Sequence, residues 1–332
     1  IMANIRIKMI KETYRNIIKF LSHDIWVGDF TEVSKAMRRA IRYLKVFITT
    51  TKEFFNRKIG LHAINLTYFT ILAIVPLVAI GIFVTNRFGL DTYLSTALYD
   101  TFANQKYVID VILSSANNII NTTNSGLFGW IGLLSFIWTI FWLMLSVENS
   151  FNHIWHVDTA RKLYKRIIVY VTVLILAPFV VVLFVYTSAY YTIALDVIFP
   201  DSRVFKFIES NLYWLVFYGL TVLVLSLIYK FIPHVKVRYS ASLRASVMSG
   251  FIFVLLQYLY ISTQMMVSRL NSVYGVFALF PLLLIWLNFS WQVILLGAEL
   301  SYSFQYIEEQ DELKFMEMEK NKEIEENGSK FN

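Results

Sequence analysis

Six stretches of the chain run without Asp, Glu, Lys or Arg: 64–86, 127–147, 167–195, 211–229, 245–268 and 270–298. Each clears the about 18 apolar residues that a helix needs to cross a bilayer. Lipid offers the backbone no hydrogen-bond partner, so runs of this length fold as helices. They also lack the two-residue alternation of an outer-membrane barrel. The predicted fold class is therefore all-α: a polytopic membrane protein with six transmembrane helices.

Between and around these runs the pattern changes. Within residues 33–58, Met37, Ile41, Leu44, Phe47, Ile48, Thr51, Phe54 and Phe55 recur at three- and four-residue spacings, with Lys35, Arg38, Arg39, Arg42, Lys45 and Lys52 largely between them. This predicts an amphipathic helix that lies on a membrane surface or packs on the ends of the spans. Residues 87–126 repeat the pattern with few basic residues. Tyr93, Ala97, Leu98 and Phe102, then Val108, Val111, Ile112, Ser115 and Ile119, predict two short helices before a turn at NTTNSG. The expected role of this segment is to cover the bundle. From Glu308 onward the chain mixes acids and lysines densely, as a solvated helical extension does. The predicted organisation is a basic region 1–60, a six-helix domain 61–305 and a charged tail 306–332.

Composition agrees with this pattern. Hydrophobic residues make up 57% and charged residues 16%, with a mean hydropathy of +0.56, which excludes an ordinary soluble domain. Cysteine is absent, so no disulfide, thiolate metal site or cysteine nucleophile is available. Residues 1–60 are polar and basic, and the first span is expected to act as its own signal anchor.

Charge sets the orientation. Lys and Arg number 13 in residues 1–63 and 4 in each of 148–166, 230–244 and 299–332. The alternate segments 87–126 and 196–210 hold 2 each, and the turn at 269 holds 1. By the positive-inside rule both termini are cytoplasmic. The basic surplus fits anionic lipid headgroups at that face better than nucleic acid, because no RNA-binding motif accompanies it.

Charge inside hydrocarbon costs at least about 2.5–3.5 kcal/mol, so intramembrane ionisable groups need a reason. Glu148 and Glu299 each close an outside-to-inside run and reach a similar depth at the cytoplasmic edge. One reading is an anchoring salt bridge to Arg161, Lys162, Arg166 or Arg244. The other is a proton- or cation-responsive pair lining an inward-facing cavity between the first, second, fifth and sixth spans. Asn288, Gln292 and Glu299 share one stripe of the sixth run, and Gln257 with Gln264 make a similar stripe on the fifth. Interhelical hydrogen bonding accounts for such amides by itself. Pro76, Pro178 and Pro281 fall inside spans, where each removes a helical hydrogen bond and invites a kink. Gly250, Gly275 and Gly297 permit close helix approach.

No P-loop, GxGxxG, GxSxG or HExxH occurs, so ATP hydrolysis and the common hydrolase chemistries are not signalled. His153 and His156, at i and i+3, lack further metal ligands nearby in sequence. Neither a metal nor a cofactor is expected, and neither is enzymatic activity.

Four stretches together resemble the YihY/BrkB family of bacterial inner-membrane proteins. They are INLTYFTILAIVPLVAI, SVENSFNHIWHV, LIYKFIPHVKV and VYGVFALFPLLLIWLNFSWQVILLGAELSYSF. The specific elements are Tyr68 with Pro76, Asn152 with Trp155, Tyr229 with Pro233, Tyr274-Gly275, Trp286 and Gly297-Ala298-Glu299-Leu300, and the resemblance covers roughly residues 50–305. It implies a six-helix protein of the bacterial inner membrane in which Asn152 and Glu299 are motif positions. An older ribonuclease label in the family finds no nuclease residues here. The expected function is a non-ATP-hydrolysing transporter, or a protein that handles a lipid or another amphiphile of the envelope. The alternative is a non-transporting envelope scaffold. Expected partners are membrane lipids, an amphiphilic substrate and a second copy of the chain.

Overall fold

The computed structural model describes residues 25–27, 34–87, 89, 92, 95–96, 98–99, 106–122, 127–157, 159, 161–198, 203–268 and 272–329. After a helical turn at Ile25–Val27, the described helices are α1 (Lys35–Asn56), α2 (Ile59–Arg87), α3 (Lys106–Thr122) and α4 (Leu127–Ile154). They continue with α5 (Leu163–Ile198), α6 (Arg203–Phe231), α7 (Tyr239–Ser268) and α8 (Ser272–Ser329). Five contain segments long and apolar enough to cross a membrane: Ile59–Phe83, Leu163–Val180, Trp214–Phe231, Tyr239–Val267 and Phe280–Lys320. The remaining predicted run, 127–147, coincides with the 28-residue α4. Several side chains of α4 and those of Tyr93, Ala97, Phe102, Tyr274 and Gly275 lie outside the described residues.

The chain divides into two compact units, Asn56–Tyr302 and a second made of residues 1–55 with 303–332. In the larger unit α2 packs against α3, α4 and α5, while α6 packs against α7 and α5. Serines at four- and three-residue intervals on α7, Ser242, Ser246 and Ser249, are fully buried. Their small side chains let α6 come close, and Ser242 donates to the carbonyl of Ser226. Gly297 is the tightest point: a Cβ there would overlap the hydroxyls of Tyr229 and Ser249, which hydrogen-bond to each other at 2.9 Å. Pro76, Pro178 and Pro281 each sit inside an unbroken helix. The predicted covering segment packs on α2, where Ile109 and Leu113 of α3 are buried with Ala79 and Ile82. Beside it the Tyr99 hydroxyl donates to Asp110 at 2.6 Å, which raises the phenol above its usual pKa.

In the smaller unit Ser34 caps α1, accepting from the backbone N–H of Met37 at 3.3 Å. The face of α1 bearing Val46 and Thr50 is buried, and Thr50 donates to Ser303 at 3.0 Å. Tyr43 meets Phe304 edge to face, and Arg42 donates to Asp311 at 3.2 Å. Burial pushes the Lys45 ammonium below its usual pKa, with Asp311 opposing. Met37, Phe47 and Phe55 are exposed, at 54%, 61% and 73%. The side of α1 that packs within this unit is therefore a mixed one, centred on Val46 and Thr50, and part of its apolar surface stays exposed.

Candidate functional site

The C-terminal end of α4 positions most of the site. Its last turn closes as a Schellman cap: Val157 N–H bonds the Asn152 carbonyl at 2.9 Å, and His156 N–H bonds that of His153 at 3.4 Å. His156 takes the left-handed conformation, φ 56°, where glycine is the usual occupant. The strain turns the chain sharply and leaves the His153 and His156 rings exposed at the helix end.

Around this end lies a polar cavity of about 560 Å³, lined by Arg57, Asn149, Asn152, His153, His156, Val157, Thr159 and Arg166. Arg57 donates to the His153 carbonyl at 3.3 Å. The His153 ring stacks on His62 of α2 with centroids 4.8 Å apart, and the Ser150 hydroxyl lies 3.3 Å from His62 Nδ1. Asn152 faces two ways. It lines the cavity, and its Oδ1 accepts the backbone N–H of His234 at 3.0 Å.

Behind Arg166 sits Glu148, with its side chain 2% exposed. Arg166 Nε reaches Glu148 Oε2 at 3.1 Å and Nη2 reaches Oε1 at 3.4 Å, the two-pronged geometry that guanidinium favours. Tyr170 donates its hydroxyl to Oε2 at 2.6 Å. Of the four cations expected near Glu148, Arg166 is the one in this pair. Arg161 instead caps α6, its Nη2 lying 3.0, 3.0 and 2.8 Å from the carbonyls of Phe231, Ile232 and Pro233. A cation there complements the negative end of the helix dipole.

The other predicted residues lie away from this cavity. Glu299 is completely buried, as are Gly297, Ala298, Leu300 and Ser301 around it in the chain. Gln292 donates to Asn288 at 2.6 Å, and Asn288 donates to the Thr67 hydroxyl of α2 at 3.4 Å. Trp291 joins the same contact by donating to Thr70 at 3.0 Å. Gln257 accepts from Trp286 Nε1 at 3.1 Å, next to a stacked Tyr260–Trp286 pair. Gln264 is 3% exposed, and its amide nitrogen meets no acceptor among the described residues. Of the predicted polar stripes, Asn288 and Gln257 thus join neighbouring helices by hydrogen bonds, and the cavity is lined mainly by residues outside the apolar runs.

Among the described residues no group of three or more His, Asp or Glu side chains is placed to hold a metal ion. The Tyr170 contact was not foreseen, although its spacing of four from Arg166 puts both on one face of α5.

The comparisons with known proteins can now be set beside this geometry. A family model described as virulence factor BrkB matches residues 50–322. A UPF0761 membrane protein of Acinetobacter baylyi is 28% identical over 248 residues, covering 73% of this chain and 58% of that protein. One of Laribacter hongkongensis is 31% identical over 254 residues, 74% of this chain and 57% of that protein. A third, of Aggregatibacter aphrophilus, is 26% identical over 264 residues, 77% of this chain and 91% of that protein. The chain therefore spans little more than half the length of two of these relatives and nearly all of the third. No solved structure matches. With a model match over most of its length and several apolar helices, the chain is a membrane protein that belongs to the virulence factor BrkB family.

Proposed function

We propose that this protein is a non-ATP-hydrolysing transporter or lipid-handling protein of the bacterial inner membrane. In this reading α4 is also a span, which brings the number to six, both termini are cytoplasmic and the protein catalyses no chemical reaction. The observation that carries it is the polar cavity at the end of α4, beside a helix that faces lipid. Only 11% of the Leu163–Val180 window is buried within the protein, and Leu163, Ile167 and Ile168 next to Arg166 are exposed. A polar recess beside a lipid-facing apolar surface suits a molecule with a charged head and a hydrocarbon tail. The segmental Lys and Arg counts support a cytoplasmic side for the cavity in this reading.

The test is reconstitution into vesicles carrying a trace of headgroup-labelled phosphatidylglycerol, with transfer between leaflets read by quenching of the outer label. Faster transfer than in protein-free vesicles, reduced by Asn152→Leu, is expected. Equal rates with and without protein would end the transport reading.

A second reading, a non-transporting envelope scaffold, is favoured by the seams. Asn288, Gln292 and Gln257 are satisfied by neighbouring side chains, as residues that only hold helices together are. It predicts self-association in mild detergent and full function in a Glu299→Gln variant.

A further inference from the structure

We infer that the cavity at the end of α4 is a binding site for a phosphate group. This deepens the lipid-handling reading and rests on it only for the identity of the cargo. The lining is a set of donors: two guanidinium groups, the amides of Asn149 and Asn152, the hydroxyl of Thr159 and two imidazoles. Among the described lining residues none is a carboxylate, and Glu148 is shut behind Arg166. That arrangement turns donors toward the recess while one of its arginines is held in place. Arg166 turns its Nε and Nη2 toward Glu148, and Tyr170 fixes the same carboxylate from the other side. A guanidinium has five N–H donors, so those not directed at Glu148 remain to meet an anion.

Pre-positioning matters energetically. An arginine already locked in one rotamer loses little further freedom when it binds, so more of the charge-assisted hydrogen bonding appears as affinity. Arg57 lines the same recess, its Nη1 donating to the His153 carbonyl at 3.3 Å. Two forked cations flanked by amide and hydroxyl donors match the tetrahedral oxygens of a phosphate. The phosphate comes from a lipid headgroup, whose acyl chains lie along the exposed apolar side of α5, or from the free ion.

The experiment uses the full chain in dodecyl maltoside, a detergent that carries no phosphate. Wild type, Arg57→Gln and Asn149→Leu are titrated calorimetrically with inorganic phosphate and with short-chain phosphatidylglycerol. At least one probe should bind wild type, with affinity lowered about tenfold or more in Arg57→Gln, as befits loss of a charge-assisted pair. Binding of the lipid alone assigns the site to a headgroup, and binding of inorganic phosphate assigns it to the ion itself. Failure of both probes to bind wild type overturns the site, as does unchanged affinity in Arg57→Gln. If Arg57→Gln does not fold, Asn149→Leu decides by the same criterion. Wild type that binds phosphate but moves no labelled lipid keeps the site and removes the transport reading. Transfer that persists with neither probe bound does the reverse.

Discussion

Glu148 and Glu299 close two apolar runs, and both are buried, yet their surroundings differ. Glu148 is gripped by Arg166 and Tyr170 and lies one side chain away from a polar cavity. Glu299 sits in a run of buried residues beside Gly297, where α8 meets Tyr229 and Ser249 most closely. Removing a carboxylate from water costs several kcal/mol wherever it happens. What that cost secures depends on the neighbours: at Glu148 it holds a cation toward an open recess, and at Glu299 it is enclosed in close-packed helices. Equal depth along a span does not imply equal roles.

The sharpest way to break this comparison is Arg166→Met, which leaves Glu148 buried without its cation. A loss of about 3–5 kcal/mol is expected, seen as a large drop in melting temperature of the purified protein. The double variant Arg166→Met with Glu148→Gln should recover part of it. A melting temperature unchanged by Arg166→Met would mean that the pair contributes nothing. Tyr170→Phe removes one hydrogen bond to a charged group and should cost about 1.5–3 kcal/mol in the same assay. It should also weaken phosphate binding, because the carboxylate that orients Arg166 loses its second support. On the other side of the comparison, Gly297→Ala should cost about 1–3 kcal/mol through overpacking. Combining it with Tyr229→Phe removes the nearest of the three atoms that the methyl group meets, and the combination should be less than additive. Strict additivity would show that the hydroxyl is not what limits the approach. The smallest effect expected is that of Trp286→Phe, about 0.6 kcal/mol for one interhelical hydrogen bond to Gln257. Glu299→Gln sharpens the contrast further, since it should leave calorimetric phosphate binding as in wild type, whereas Arg166→Met abolishes it.

The spans were legible in the sequence because hydrocarbon imposes a simple rule on long uncharged runs. Each of the five helices that qualify as spans overlaps a predicted run. The polar stripe Asn288–Gln292 was legible for the same kind of reason: a spacing of four on a helix puts two side chains in reach of each other. Its partner Thr67 was not, because it comes from a helix more than two hundred residues earlier, and a single sequence carries no sign of which helices touch. The cavity escaped for a different reason. The search for polar groups inside apolar runs overlooks Arg57, His153, His156 and Thr159, which lie just beyond the runs and meet only because α4 ends in a sharp left-handed turn at His156. The expected cavity between the first, second, fifth and sixth spans followed from polar residues such as Gln257 and Asn288. These are engaged in helix-to-helix hydrogen bonds. Glu148 was seen, and Arg166 was among its candidate partners, but four cations satisfied the sequence equally well.

The connection after α4 carries a consequence for motion. Arg161 converges on three carbonyls at the end of α6, the His234 ring meets the Thr159 carbonyl at 3.1 Å, and the His234 backbone is held by Asn152. These bonds weld the end of α4, the start of α5 and the end of α6 into a single fulcrum. A rocking transition that exposes the cavity to the opposite side must pivot on this weld and swing the far ends of the helices, because parting them here would break all of these bonds at once. Any such transition would therefore keep these three helix ends together.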